Sequence, residues 1–166
     1  MVLPLHQSSA FINVTLKRLL LLLNLARGHT DIEFVFVNID IQTETFYKRT
    51  TDRMDNVKMM GMIPQLQLLS RASFFITHCG FNSVKEAILL DVPVIGIIKS
   101  KVHDQDLTAK TIERIGVGTS ISLKKLTEKD MNSMIYEFKD RGFRYSFNKE
   151  IKSKIINDLD GLCDDI

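Results

Sequence analysis

A short segment from Phe74 to Glu86 holds residues suited to binding a phosphate. It opens with Phe74-Phe75-Ile76, an apolar run typical of a strand buried on both faces. Gly80 permits a sharp backbone turn after this strand, and Ser83 can cap the helix that follows. The start of such a helix presents backbone N–H groups and the positive end of its dipole, which together favour a phosphate. The segment therefore predicts an anion site at the end of a buried strand.

The same residues also have a purely structural interpretation, which the segment alone leaves open. Ser83 and Glu86 have the S-x-x-E spacing of a capping box, whose side chains only satisfy N–H groups at a helix start. Taken alone, His78 would be a half-buried histidine bonded to the backbone. Ser83 can serve both purposes, whereas Glu86 folded back on its own helix would not reach a ligand.

Three pieces of the sequence resemble the donor-binding signature of the UDP-glycosyltransferases in order and in spacing. They are Pro64-Gln65, then Thr77 to Ser83 with Glu86, and then Asp104-Gln105. Enzymes of that family have the GT-B fold, and this chain resembles their C-terminal, nucleotide-sugar-binding half. The resemblance implies that a UDP-sugar is the donor substrate and that no separate cofactor is needed.

The resemblance also implies a role for each residue around the diphosphate and the ribose. His78 would contact the donor diphosphate, and Gly80 would let the backbone approach it. Asn82 and Ser83 would donate to the phosphate oxygens. Glu86 would accept from the two ribose hydroxyls, for which a carboxylate is suited because it offers paired acceptors.

The base and the sugar have candidate ligands by the same resemblance. Gln65 corresponds to the residue that reads the uracil ring, and Met62 stands where the family often has a stacking Trp. The alternative for Met62 is that it fills the core. Asp104 and Gln105 correspond to the pair that holds the sugar hydroxyls, and their alternative is an ordinary helix start, where Asp is a common cap.

Some positions depart from the family pattern. Besides Met62, the family usually has Gly where this chain has Asp91, Asn where it has Thr108, and a Gly in the turn near Ser8. These departures fit a divergent member of the family. They also support an alternative, a non-catalytic interaction domain that keeps the glycosyltransferase fold.

The resemblance assigns this chain no catalytic residue. Inverting transfer needs a base for the acceptor hydroxyl and a stabiliser for the leaving diphosphate, and the chain offers only the second. In the family the base is a histidine supported by an aspartate, and both lie in the N-terminal domain. We therefore expect residues 1–166 to form a single donor-binding domain without the acceptor domain, as a truncation, a gene fragment or half of a split enzyme. An N-terminal domain or a separate chain would complete it for transfer of a hexose to a small-molecule hydroxyl, and the isolated chain would be inactive.

Composition excludes several other classes of protein. The 166 residues are 45% hydrophobic and 25% charged, as in one soluble globular domain. A formal net charge of +2 gives no argument for binding to nucleic acid or to an anionic membrane.

The two cysteines, Cys79 and Cys163, lack metal-ligand spacing, so no metal is predicted. Cys79 is interpreted as a small packing residue. Reduced thiols and the short apolar run from Leu19 to Leu23 predict a cytoplasmic protein without a transmembrane segment. A nicotinamide-binding domain is disfavoured because no G-x-G-x-x-G follows a strand.

Strands alternate with helices along the whole sequence. This pattern predicts an α/β fold, a Rossmann-like doubly wound parallel sheet with helices on both faces and a site at the carboxyl ends of its strands. The predicted strands are Val2–Leu5, Ile32–Val37, Asn56–Met60, Ser73–Thr77, Pro93–Ile98 and Gly118–Leu123. The predicted helices run from Ser8 or Ser9 to about Ala26, from Leu66 to Ser70, from Ser83 to about Leu90, from Asp104 to Ile115, from Thr127, and from Ser146 to Leu159.

Overall fold

The structure alternates between strands and helices, as predicted. It is a computed structural model that describes residues 8–13, 16–37, 51–61, 64–98, 103–139 and 147–164. The strands are β1 (Ser8–Asn13), β2 (Ile32–Phe36), β3 (Val57–Met59), β4 (Phe74–Thr77), β5 (Val94–Ile98) and β6 (Gly118–Ser122). The helices are α1 (Leu16–Gly28), α2 (Gln65–Leu69), α3 (Phe81–Leu89), α4 (His103–Arg114), α5 (Glu128–Lys139) and α6 (Lys149–Asp164).

The six strands form one parallel sheet in the order β3-β2-β1-β4-β5-β6. The strand order reverses between β1 and β4, where Asn13 is aligned with Thr77. In open α/β sheets, ligands bind outside the carboxyl ends of the strands at such a reversal. The predicted doubly wound fold is therefore confirmed, and its topology points to the end of β4.

Helices cover both faces of this sheet and create two separate cores. On one face α1 and α5 pack against β2, β4 and β5 through residues that include Leu22, Phe34, Phe74, Ile95 and Ile135. On the other face α3 and α4 contribute Val84, Ile88 and Ile112, with Ile155 of α6 packed at the edge. Because both faces are covered, all four residues of β4 are buried, which explains its unbroken apolar run.

The first strand lies further along the chain than predicted. The sequence predicts a strand at residues 2–5, which lie outside the described residues, and a helix from Ser8 or Ser9. The structure has β1 at Ser8–Asn13 and begins α1 at Leu16, so the helical prediction for this segment is wrong. Pairing on both sides, with β2 and β4, holds this segment extended as the central strand of the sheet. Ser8 is consequently the first residue of β1 and lies at the amino ends of the strands, whereas the predicted site lies at their carboxyl ends.

The buried Asn56, just before β3, ties the end of α1 to the start of β2. The amide nitrogen Nδ2 of Asn56 donates to the carbonyls of Ala26 at 2.9 Å, His29 at 3.0 Å and Ile32 at 3.1 Å. Asn56 is only 7% exposed, so these carbonyls have little access to water as an alternative partner. The side chain therefore fixes the turn that leads from α1 into β2.

Thr127 and Asp130 form a capping box at the start of α5. The Asp130 carboxylate accepts from the backbone N–H of Thr127 at 3.0 Å and from its hydroxyl at 2.7 Å. The Thr127 hydroxyl oxygen in turn accepts from the Asp130 N–H at 3.2 Å. Two hydrogen bonds from Thr127 lower the pKa of Asp130 below the ordinary value of 3.8. The bond from the Thr127 hydroxyl has the larger effect and the bond from its backbone N–H the smaller. The predicted helix start at Thr127 is thereby confirmed.

None of the helices within the described ranges has the length and apolar character needed to cross a membrane.

Candidate functional site

The turn that follows β4 differs from the predicted glycine turn. Cys79 adopts the left-handed conformation with a φ of 63°, whereas Gly80 is extended at φ −62° and ψ 131°. Gly80 is the N-cap of α3, and extended backbone is typical of that position. The prediction that Gly80 makes the sharp turn is therefore wrong, because the preceding residue makes it.

A side chain at Gly80 would displace the imidazole of His78. A Cβ atom at this position would lie 2.9 Å from Nε2 of His78, closer than Cβ atoms approach other heavy atoms. The imidazole of half-buried His78 therefore lies against the start of α3. The glycine leaves room for the histidine beside the first turn of the helix, where the sequence predicts the phosphate.

Gly96 of β5 is a site-supporting residue that sequence reasoning missed. A Cβ atom on Gly96 would lie 2.3 Å from Sγ of Cys79 and 3.1 Å from Cβ of Ser120. Cys79 is completely buried, which confirms its predicted packing role, and it packs into the space that Gly96 leaves. A glycine inside the apolar run of a strand marks such close approaches, and this signal was available in the sequence.

The start of α3 contradicts the predicted capping role of Ser83. The helix begins at Phe81, so Ser83 is its third residue, and its N-cap makes no side-chain hydrogen bond. The Glu86 carboxylate does not fold back on its own helix in a capping box. Its Oε2 instead accepts a hydrogen bond of 2.7 Å from Nε2 of Gln65, the first residue of α2.

This hydrogen bond joins two of the three sequence pieces that were singled out separately. Gln65 and Glu86 are both half-buried, and α2 packs against α3. His78, Gly80 and Asn82 lie on the segment that carries Glu86, and Asn82 is exposed. The first and second pieces therefore form one continuous surface at the carboxyl end of β4.

The third piece lies beside this surface. Asp104 and Gln105 belong to the first turn of α4, which follows β5, and β5 pairs with β4. Three buried side-chain polar atoms have no hydrogen-bond partner within the ranges that the structure describes: Gln105 Oε1 and Thr77 Oγ1 near this edge, and Asp91 Oδ1 before the start of β5. Buried polar atoms in native proteins are usually paired, so two orphaned acceptors near one sheet edge mark a place where a polar ligand would fit.

Two further predicted site residues are Met62 and Asp104. Met62 lies outside the described residues, and nothing is described of the Asp104 side chain. In the parts of the chain with described side chains, no group of three or more His, Cys, Asp or Glu residues could hold a metal ion.

Comparison with known proteins gives consistent matches. A family model described as UDP-glucoronosyl and UDP-glucosyl transferase matches residues 44–152. The uncharacterized UDP-glucosyltransferase YojK of Bacillus subtilis (strain 168) is 34% identical over 86 residues, which is 52% of this chain and 21% of that protein. The matched part is thus about a fifth of this curated relative's length.

Solved structures match nearly the whole chain. The glycosyltransferase of kitacinnamycin superposes with a TM-score of 0.73 at 18% identity. The superposed part is 97% of this chain and 41% of that chain. Os79 from O. sativa in complex with UDP gives a TM-score of 0.64 at 22% identity, with coverage of 92% of this chain and 35% of that one. These are GT-B glycosyltransferases, so the fold prediction is confirmed at the level of the individual domain.

Proposed function

Since this chain belongs to the UDP-glucoronosyl and UDP-glucosyl transferase family, we propose that it is the donor-binding domain of a UDP-glycosyltransferase. It would hold a UDP-sugar whose hexose is transferred to a small-molecule hydroxyl. An N-terminal acceptor domain, on the same polypeptide or on another chain, would supply the base for that hydroxyl. Residues 1–166 would then be one functional unit of the complete enzyme.

The hydrogen bond between Gln65 and Glu86 is the observation that carries this proposal. The two side chains come from different pieces of the signature and meet at 2.7 Å at the carboxyl edge of the sheet. A packed interaction domain would not need an amide and a carboxylate to converge at this edge. A nucleoside would use both, since its base and its ribose both offer hydrogen-bonding groups.

The start of α3 supports a role in holding the diphosphate. Gly80 at the N-cap has no side chain that could accept from the first N–H groups of the helix. These groups and the helix dipole would be available to a phosphate at the carboxyl end of β4, next to the point where the strand order reverses. An N–H group of the His78 imidazole would add a further donor. During transfer, the same donors would stabilise the negative charge that develops on the departing UDP.

The sugar would lie toward α4. The orphaned Oε1 of Gln105 is an acceptor suited to a sugar hydroxyl, and Thr77 Oγ1 can accept or donate. Asp104, which precedes Gln105 in the same turn, would supply the second acceptor. In this proposal the base and the sugar would lie on opposite sides of the α3 N-terminus.

Calorimetric titration of the chain with UDP tests the proposal. We expect the wild type to bind UDP, and we expect His78→Ala and Glu86→Gln each to weaken binding by roughly tenfold, as for the loss of one hydrogen bond to a charged group. Gln67→Ala is a matched control because Gln67 is exposed on the same helix as Gln65. UDP at a hundred times its dissociation constant should also stabilise the wild type by about 2.7 kcal/mol in a melting experiment.

The alternative function predicts a different outcome. A non-catalytic interaction domain would give no heat with UDP and no change in melting temperature. Unchanged UDP affinity in the variant that combines His78→Ala with Glu86→Ala would equally reject the proposed site.

A further inference from the structure

The strand β6 is an edge of the sheet, so it pairs with a neighbour, β5, on one side only. At its two ends the carbonyl of Val117 accepts from β5 at 3.1 Å and the N–H of Leu123 donates to β5 at 2.8 Å. The backbone N–H and C=O groups of successive residues in a strand point to alternate sides. Those of Gly118, Ser120 and Ser122 therefore point away from the sheet.

The side chain of Glu113, in the last turn of α4, covers the middle of this free edge. Its Oε1 accepts from the backbone N–H of Ser120 at 2.8 Å and from the Ser120 hydroxyl at 2.8 Å. Glu113 is exposed, so water could solvate its carboxylate and burial does not require this bond. A hydrogen bond to a charged acceptor is stronger than one between neutral groups. The carboxylate therefore competes well for the outward N–H at the centre of β6.

The strand β6 contains none of the residues that usually protect an edge. Charged side chains, lysine above all, and proline keep many edge strands from pairing with another chain. The sequence of β6 is Gly-Thr-Ser-Ile-Ser, without a charge and without a proline. Its three outward residues have small side chains or none, which leaves room for a second backbone. Protection of this edge therefore has to come from a residue outside the strand.

We propose that Glu113 closes the β6 edge against a second copy of this chain by occupying the N–H of Ser120. The inference does not rest on the proposed function, because it concerns the edge of the sheet and no nucleotide. It assigns to Glu113 a role in keeping the chain monomeric.

The spacing of the outward residues makes a second copy the partner that fits. Two antiparallel β6 strands related by a two-fold axis through Ser120 are self-complementary. The two Ser120 residues would exchange a pair of N–H···O=C bonds, and Gly118 of each chain would pair with Ser122 of the other. The bond from Ser120 to Glu113 uses the central donor of this arrangement. The closed edge and the paired edge therefore exclude each other.

Sedimentation velocity over a range of protein concentrations measures self-association of the 166-residue chain. We expect Glu113→Ala to lower the dissociation constant of the dimer by about tenfold or more relative to the wild type, the size of one hydrogen bond to a charged group. Glu113→Gln keeps an accepting oxygen at the same distance from the backbone, so it should associate less than Glu113→Ala. Adding Ser120→Pro to Glu113→Ala removes the central N–H and should restore the wild-type constant. Proline is tolerated at an edge position whose N–H faces solvent.

Two further measurements separate the β6 edge from other causes of association. Glu137→Ala is the matched control, since it removes one negative charge from an exposed position on α5 and should leave the dissociation constant unchanged. Hydrogen exchange of the Ser122 N–H reports on the contact itself. In Glu113→Ala this exchange should slow as protein concentration rises, and in the wild type it should stay fast. This measurement gives an answer even if the proline variant does not fold. Melting curves check that the glutamate variants remain folded, as expected for substitutions of an exposed side chain.

The other outcomes overturn the inference. Equal dissociation constants for the wild type and Glu113→Ala would mean that the edge needs no closure. Association that persists with Ser120→Pro, or that leaves exchange of the Ser122 N–H unchanged, would mean that the chains meet elsewhere. Equal association of the glutamine and alanine variants would mean that the hydrogen bond is not what closes the edge. UDP binding is measured separately, so the proposed function stands or falls independently of these results.

Discussion

Asp91 and Gly116 occupy equivalent positions at the ends of the neighbouring helices α3 and α4. Each has left-handed backbone, with a φ of 57° for Asp91 and 72° for Gly116. In both cases the following residue donates its N–H back into the helix, to the carbonyl of Ala87 at 2.9 Å and of Ile112 at 3.0 Å, as in a Schellman motif. Asp91, where the family usually has glycine, therefore preserves the helix ending that glycine would give.

Gly116→Ala should destabilise the fold by about 1–2 kcal/mol, the cost of left-handed backbone for a residue with a Cβ atom. Nothing lies within 4 Å of the added Cβ, so backbone strain is the only penalty. The control is Gly161→Ala in α6, where space is equally open and φ is not positive. There alanine should stabilise by about 0.5–1 kcal/mol in urea unfolding. Equal losses in the two variants would contradict the backbone explanation.

Asp91 combines this conformation with an ion pair that holds α6. Lys152 of α6 pairs with the Asp91 carboxylate and donates to the carbonyl of Leu89 at 3.2 Å. Asp91→Ala and Asp91→Gly both remove the ion pair. The positive φ at this position strains alanine, whereas glycine adopts it without strain. We expect alanine to be less stable than glycine by about 1 kcal/mol in urea unfolding. Identical stabilities would show that this turn relaxes once the carboxylate is removed.

Gly96→Ala should destabilise the sheet by about 1–3 kcal/mol, as expected for overpacking. The added methyl would overlap Sγ of Cys79, at 2.3 Å, and crowd Ser120. Adding Cys79→Ala removes the sulfur and should restore part of the loss. A double-mutant cycle in chemical denaturation measures this coupling, and strictly additive effects would mean that the sulfur moves aside at no cost.

Asn56→Asp should cost roughly 2–4 kcal/mol, because a buried acceptor would face carbonyls and leave them unpaired. The wild-type amide donates to Ala26, His29 and Ile32, and aspartate has the same shape without the donors. The loss should diminish at low pH, since a protonated carboxyl can donate to one of them. Denaturant midpoints for wild type and variant at several pH values provide the measurement, and a pH-independent difference would argue against this account.

The Asp130 carboxyl should titrate below 3.8 in the folded protein, which carboxyl NMR can measure directly. The Thr127 bonds favour the charged form, so their contribution to stability is fully present above the unfolded pKa and is lost as pH falls through the folded pKa. Thr127→Val should move the pKa of Asp130 toward 3.8, and Thr127→Ser should keep it low. An equal response to both substitutions would exclude the hydroxyl as the cause.

The sequence predicted most of the fold because the strands after residue 31 are apolar runs bounded by clear turn residues. For β2 to β6 the predicted and observed limits agree within one residue at each end. β1 was missed because the spacing of Phe11 and Ile12 continues the helical pattern of α1. Only pairing with β2 and β4 decides this segment, and pairing partners are not visible in a local pattern.

The sequence predicted which residues gather at the site better than it predicted the contacts and backbone conformations of those residues. The family pattern placed Gln65, His78, Gly80 and Glu86 in one region, but it gave neither the bond between Gln65 and Glu86 nor the left-handed conformation of Cys79. Such features depend on tertiary contacts, which override local preferences for turns and caps. The binding roles of all nine predicted residues stay predictions, to be tested with the nucleotide: Met62, Gln65, His78, Gly80, Asn82, Ser83, Glu86, Asp104 and Gln105.

The central position of β1 affects how the protein is made. On the ribosome, β1 can pair with β2 early, but its second partner, β4, emerges only when residues 74–77 have been translated. Until then one edge of this central strand has unpaired N–H and C=O groups, a template for association with other chains. This interval is the time when chaperones would be needed, and its length is determined by the order of the strands.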